Sequence, residues 1–140
     1  MQTKDDPENT GHSFRIEMYD TCTGCHSDPQ GLVEFTIDTV SDRIQEIKDE
    51  LDTWALTKAP LSLRTNYGVL SWEYSTPGEL SSGSAGPNST EQAQIPDIIK
   101  KARYNLYIIN NEGSHAIHNS SYSLDLLDLA EAWVQEAMNN

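Results

Sequence analysis

Basic residues are scarce in this chain: nine Lys and Arg stand against 22 Asp and Glu, a formal charge of −13 over 140 residues. Nucleic-acid binding needs clustered Lys and Arg to neutralise phosphate, so that class is excluded as a first reading. Attraction to an anionic membrane surface is excluded on the same ground. No run approaches the ~20 apolar residues of a membrane span. The polar, acidic start, "MQTKDDPENTGHSF", lacks the basic residues and apolar stretch of a secretory signal. Sulfur is scarcer still, with two cysteines, and there are four histidines. At this length a single domain buries roughly 68% of its unfolded surface without disulfide staples.

What is present is helical periodicity. Val33, Ile37, Val40, Ile44, Ile47, Leu51 and Trp54 alternate spacings of four and three, which is one apolar stripe. The other face carries Glu34, Asp38, Asp42, Gln45, Lys48 and Asp52. The pattern predicts a helix of about 25 residues, with Pro60 just beyond its end. Residues 58–94 read as a long irregular loop punctuated by glycines and prolines, in which "YGVLSWEYS" forms a short hairpin or lies over the core. A second helix is expected from Pro96 through "DIIKKARYNLYIIN" to Gly113, with Ile99, Ala102, Leu106 and Ile109 inward. A third follows Ser120 and Ser121, with Leu124, Leu127, Val134 and Met138 as its stripe. With residues 1–19 as an N-terminal arm, the expectation is a single all-α domain of residues 1–140.

The two cysteines fall together in "DTCTGCHSDP", as Cys22-Thr-Gly-Cys25-His26. A thioredoxin-like dithiol would follow a strand in a βαβ unit, and no such pattern surrounds it. A zinc site needs four ligands, and only His12, His115 and His118 remain to join the pair. A covalent haem c fits best: both thiols reach the porphyrin vinyl groups, and His26 is carried to the iron as axial ligand. Both cysteines are then consumed. Thioether attachment follows export, so a haem implies a periplasmic or extracellular protein and a processed or trimmed chain. The sixth iron ligand would come from His12, His115, His118 or Met18. "GSHAIHNSS", residues 113–121, is the richest source, since a turn between two packed helices presents an imidazole rigidly. Met18 is expected on the haem edge instead.

The stretch "GHSFRIEMYDTCTGCH" resembles multihaem c-type cytochromes, in which a histidine in a "GHTF"-like setting precedes CxxCH. "YNLYIINNEGSHAIHNSSYSLDLL" resembles the closing segment of the same group, and more distantly the C-terminal region of pentahaem ammonia-forming nitrite reductases. The likeness covers about residues 11–57 and 95–138; the connection between them has no counterpart. It implies thioether attachment at Cys22 and Cys25, His26 as proximal ligand, and His118 or His12 as a distal ligand. Such ligands often serve a neighbouring haem in multihaem relatives, and only one CxxCH occurs here. The favoured arrangement puts His118 on the local iron, with His12 second and His115 last. The lysine-ended motif of the nitrite reductase substrate haem has no equivalent in the chain.

The expectation is therefore a single-electron carrier and not an enzyme, with bis-histidine haem c as cofactor and redox proteins or other cytochrome subunits as partners. Two alternatives remain open: a subunit or fragment of a haem array whose ligands cross interfaces, and a nitrite-reductase-like enzyme with an open iron. Two sequons, at Asn88 and Asn119, would be glycan acceptors if the host modifies exported proteins; chance occurrence in a Ser- and Asn-rich chain is the simpler reading.

Overall fold

A computed structural model describes Gly24 and residues 27–75, 86–111 and 120–140. The fold is all-α, as the periodicity predicts. Helix α1 spans Pro29–Thr57 and starts four residues ahead of the predicted stripe. Two local signals set that start. The Asp28 carboxylate accepts from the Gly31 N–H at 3.0 Å, and Pro29 occupies the first helical position, where its missing N–H costs nothing. Helix α3, Asp97–Asn111, and helix α4, Ser120–Asn139, complete the main layer. Between α1 and α3 the described residues form a short helix α2, Leu61–Tyr67, and 3₁₀ segments at Gly68–Trp72 and Glu91–Gln94.

The stretch predicted to be loop is therefore partly helical. Gly68 joins α2 to the first 3₁₀ segment with φ of 54°, a conformation open to glycine and strained for other residues. Of the two readings of "YGVLSWEYS", the described residues take the second, with the segment coiled over the core and Leu63 and Trp72 as its anchors. Leu63 and Trp72 are 1% and 2% exposed, and Trp72 also donates its indole N–H to Asp52 of α1 at 2.7 Å. The returning chain is locked by close backbone approach. Ser75 N–H bonds to the Pro87 carbonyl at 3.1 Å, and a Cβ at Gly86 would sit 2.7 Å from the Glu73 carbonyl carbon.

The core joins Val40, Ile47, Leu51 and Trp54 of α1 to Ile99, Leu106 and Ile109 of α3 and to Leu127, Ala130 and Val134 of α4. The inward row of α4 is centred on Ser123, Leu127, Ala130, Val134 and Ala137, so small residues interleave with the predicted leucines. That lets α3 and α4 approach closely, with Asn105 of α3 donating to the Leu126 carbonyl of α4 at 3.0 Å.

One ion pair lies inside this packing. Glu73 is fully buried and Arg103 is 4% exposed; the guanidinium donates through Nε and Nη2 to one Glu73 oxygen at 3.0 and 2.9 Å. The same oxygen accepts the Tyr74 backbone N–H at 2.9 Å. The Tyr74 ring lies 3.6 Å from the guanidinium carbon, so a cation–π contact covers the charge's flat face. This cluster pins the segment after the first 3₁₀ turn to the middle of α3.

Candidate haem-attachment site

Each predicted ligand and attachment residue, Cys22, Cys25, His26, His12, His115 and His118, lies outside the described residues, as does Met18. What the structure describes is the frame on both sides of them. The CxxCH motif leads directly into α1, with Ser27 and the capping Asp28 between His26 and the first helical turn. In sequence, residues 112–119, which contain His115 and His118, fall between the end of α3 and the start of α4.

Helix directions bring those two anchor regions to one end of the bundle. Arg43 of α1 pairs with Asp128 at 2.9 Å and Glu131 at 2.7 Å on α4. Two turns further along α1, Glu50 meets Gln135, further along α4. The two helices therefore run in the same sense. Helix α3 runs against them: Ile109 and Asn110, near its end, face Val40, Ser41, Ile44, Gln45 and Lys48 across a shallow cavity of about 210 Å³. Arg103, earlier in α3, sits by Glu73, next to the 3₁₀ segment that packs on Asp52. The start of α1, the end of α3 and the start of α4 thus share one end.

At that end α1 runs on past the level of Ile109 and Asn110 of α3. From Val40 back to Pro29 is 11 residues, or about 16 Å of helix at 1.5 Å per residue. This stretch carries Leu32 and Phe35, which are 48% and 69% exposed, and they stand one turn apart on one face. Val33, on the predicted stripe, is buried at 6%. The first turn of α4 exposes Tyr122. Leu32 and Phe35 stand off the main stripe and so were not among the expected core or site residues. Two large apolar residues at i and i+3, shortly after CxxCH, were the available signal. Glu73 and Arg103 carried no such signal, being 30 residues apart with no local pattern linking them.

The charge elsewhere on α1 is arranged against α4. Burial pushes the Glu50 carboxyl above the usual range; its bond with Gln135 opposes this, and Glu131 and Glu46 add to the rise. Among the described residues no three His, Cys, Asp or Glu side chains converge as metal ligands, and no helix is long and apolar enough to cross a membrane. No protein-family model matches the chain, and the searches of curated proteins and of solved structures returned no match.

Proposed function

We propose that the chain is a c-type cytochrome domain that transfers single electrons through one covalently attached haem. The donor set fits that group: two thiols spaced for the two vinyl carbons, an adjoining imidazole at His26, and further imidazoles for a second axial position. Cys22 and Cys25 would hold the ring and His26 the iron; His118 is the favoured distal ligand, with His12 and then His115 behind it. The haem supplies a one-electron iron couple, and two histidine ligands set its potential below that of a histidine–methionine pair.

A single observation carries the reading. The residues flanking CxxCH and those flanking the His115–His118 turn lie at the same end of the bundle, where α1 also extends uncovered Leu32 and Phe35. An apolar macrocycle needs such a wall, and the protein needs such a cover. With both axial positions filled by protein there is no site for substrate at the metal, so the reading is a carrier and not an enzyme. Attachment of the haem implies export, to a periplasm or beyond the cell.

Visible spectra of the exported protein and of His118→Ala test the ligand assignment. The wild type is expected to be low-spin and to refuse carbon monoxide when reduced. His118→Ala is expected to become high-spin or to bind carbon monoxide; an unchanged low-spin spectrum removes His118. The haem-array reading draws on four histidines for one motif and on the uncovered end of α1. Native mass and haem content measured together separate the two, because a monomer with one haem excludes the array.

A further inference from the structure

We infer that Asn88 is an N-glycosylation acceptor, modified during export; the inference rests on the export that the haem reading requires. Asn88-Ser89-Thr90 has the acceptor spacing, a hydroxyl residue two positions after asparagine and a residue other than proline between. Spacing alone is weak, and the structure adds three observations. All three residues are exposed, although the preceding Gly86 and Pro87 are buried against the backbone of Glu73 and Tyr74. A rigid, buried base therefore presents an accessible tripeptide.

The two ends of the Asn88 amide also have separate roles. Its Oδ1 accepts the N–H groups of Thr90 and Glu91, both at 3.0 Å, and so holds the turn that opens the 3₁₀ segment. Its Nδ2 engages no partner among the described residues, and neither does the Thr90 hydroxyl. The nitrogen that must react is thus the half of the amide, on an exposed residue, that the turn does not use. A sugar attached there displaces water and no protein hydrogen bond, while Oδ1 keeps both of its contacts.

The donor class is an oligosaccharide joined through a diphosphate to a polyprenyl lipid. The bond from Asn88 Nδ2 to the sugar C1 forms as the bond from C1 to the diphosphate breaks. The lipid diphosphate leaves with the electron pair, and Nδ2 gives up one proton. Nothing is oxidised or reduced. The acceptor of the second sequon, Asn119, lies outside the described residues.

The test is the full chain, carried by a cleavable export signal in a host that glycosylates its exported proteins and matures c-type cytochromes, with peptide masses mapped by fragmentation. The expected result is a glycan on the peptide containing Asn88, absent from Asn88→Gln and Thr90→Ala and retained in Thr90→Ser and Asn119→Gln. Thr90→Ala leaves Asn88 and both backbone donors in place, so loss of the glycan there does not reflect misfolding. An Asn88 peptide that is wholly unmodified, beside a modified control protein from the same culture, overturns the inference. Haem content of the same material separates the two readings. A coloured, unmodified chain sinks this inference alone, and a colourless, glycosylated chain sinks the haem reading alone.

Discussion

The two halves of α1 share one apolar rhythm and meet different surroundings. From Val40 to Ala55 the inward positions Val40, Ile47, Leu51, Trp54 and Ala55 are between 0% and 2% exposed, covered by α3, α4 and the 3₁₀ segment. From Pro29 to Ile37 the helix continues and its stripe residue Val33 is 6% exposed, but Leu32 and Phe35 beside the stripe are 48% and 69% exposed. The difference teaches that helix propensity and capping suffice to write a helix, while tertiary partners decide which part of it is core. The covered half holds the fold together. The first half follows closely on CxxCH, and its exposed Leu32 and Phe35 are what the proposed cofactor would cover.

The largest effect should come from removing the attachment site. Cys22→Ala combined with Cys25→Ala is expected to abolish covalent haem completely while leaving the far-ultraviolet helical signal in place. Loss of most helix with the haem would merge the two halves into one cooperative unit.

Next comes the buried ion pair on the covered side. Glu73→Leu leaves the Arg103 guanidinium in a nearly dry site without its carboxylate, and should lower the unfolding free energy by about 3–5 kcal/mol in urea titration. A change below 1 kcal/mol would mean that water reaches Arg103. Leu51→Ala, which opens a cavity in the covered half, should cost about 3 kcal/mol. Phe35→Ala in the haem-free chain should stay within about 0.5 kcal/mol, because its ring is already in water. Equal losses at the two positions would erase the contrast between the halves.

Asp28→Ala tests the junction between motif and helix. Losing the bond to Gly31 N–H should cost about 1 kcal/mol, read as fraying confined to the first turns of α1 in hydrogen exchange. The smallest effect is at Glu50. Its carboxyl is pushed up in the folded chain, chiefly by burial, so the folded state binds the proton more tightly than the unfolded state does. Stability contributed by that proton is present below the usual carboxylate range and is lost as pH rises through it. Glu50→Gln should therefore stabilise at neutral pH, by up to about 0.5 kcal/mol, and the gain should vanish in acid.

The fold was legible where the apolar residues repeat in register with a helix. Val33 through Trp54, Ile99 through Ile109, and Leu127 with Val134 all face inward as their spacing indicates. The exact start of α1 followed from Asp28 and Pro29, which are ordinary capping signals that a stripe search beginning at Val33 steps over. Residues 58–94 were harder, because Gly68 and the flanking prolines read as breakers while Leu63 and Trp72 pack too far away in sequence to form a pattern. The Glu73–Arg103 pair was illegible for the same reason: nothing local announces a partner 30 residues distant. The proposed site residues, CxxCH with His115 and His118, were read as chemistry alone and lie outside the described residues. That their flanks share one end was not legible, because it depends on the parallel run of α1 and α4, seen in Arg43 with Asp128 and Glu131 and in Glu50 with Gln135.

Intact mass of the matured, denatured chain tests the central claim most directly. The account predicts a single species heavier than the polypeptide by one haem, coloured after unfolding, with neither Cys22 nor Cys25 open to a thiol reagent. A colourless chain of bare polypeptide mass with two reactive thiols, from a host that matures other c-type cytochromes, would contradict it.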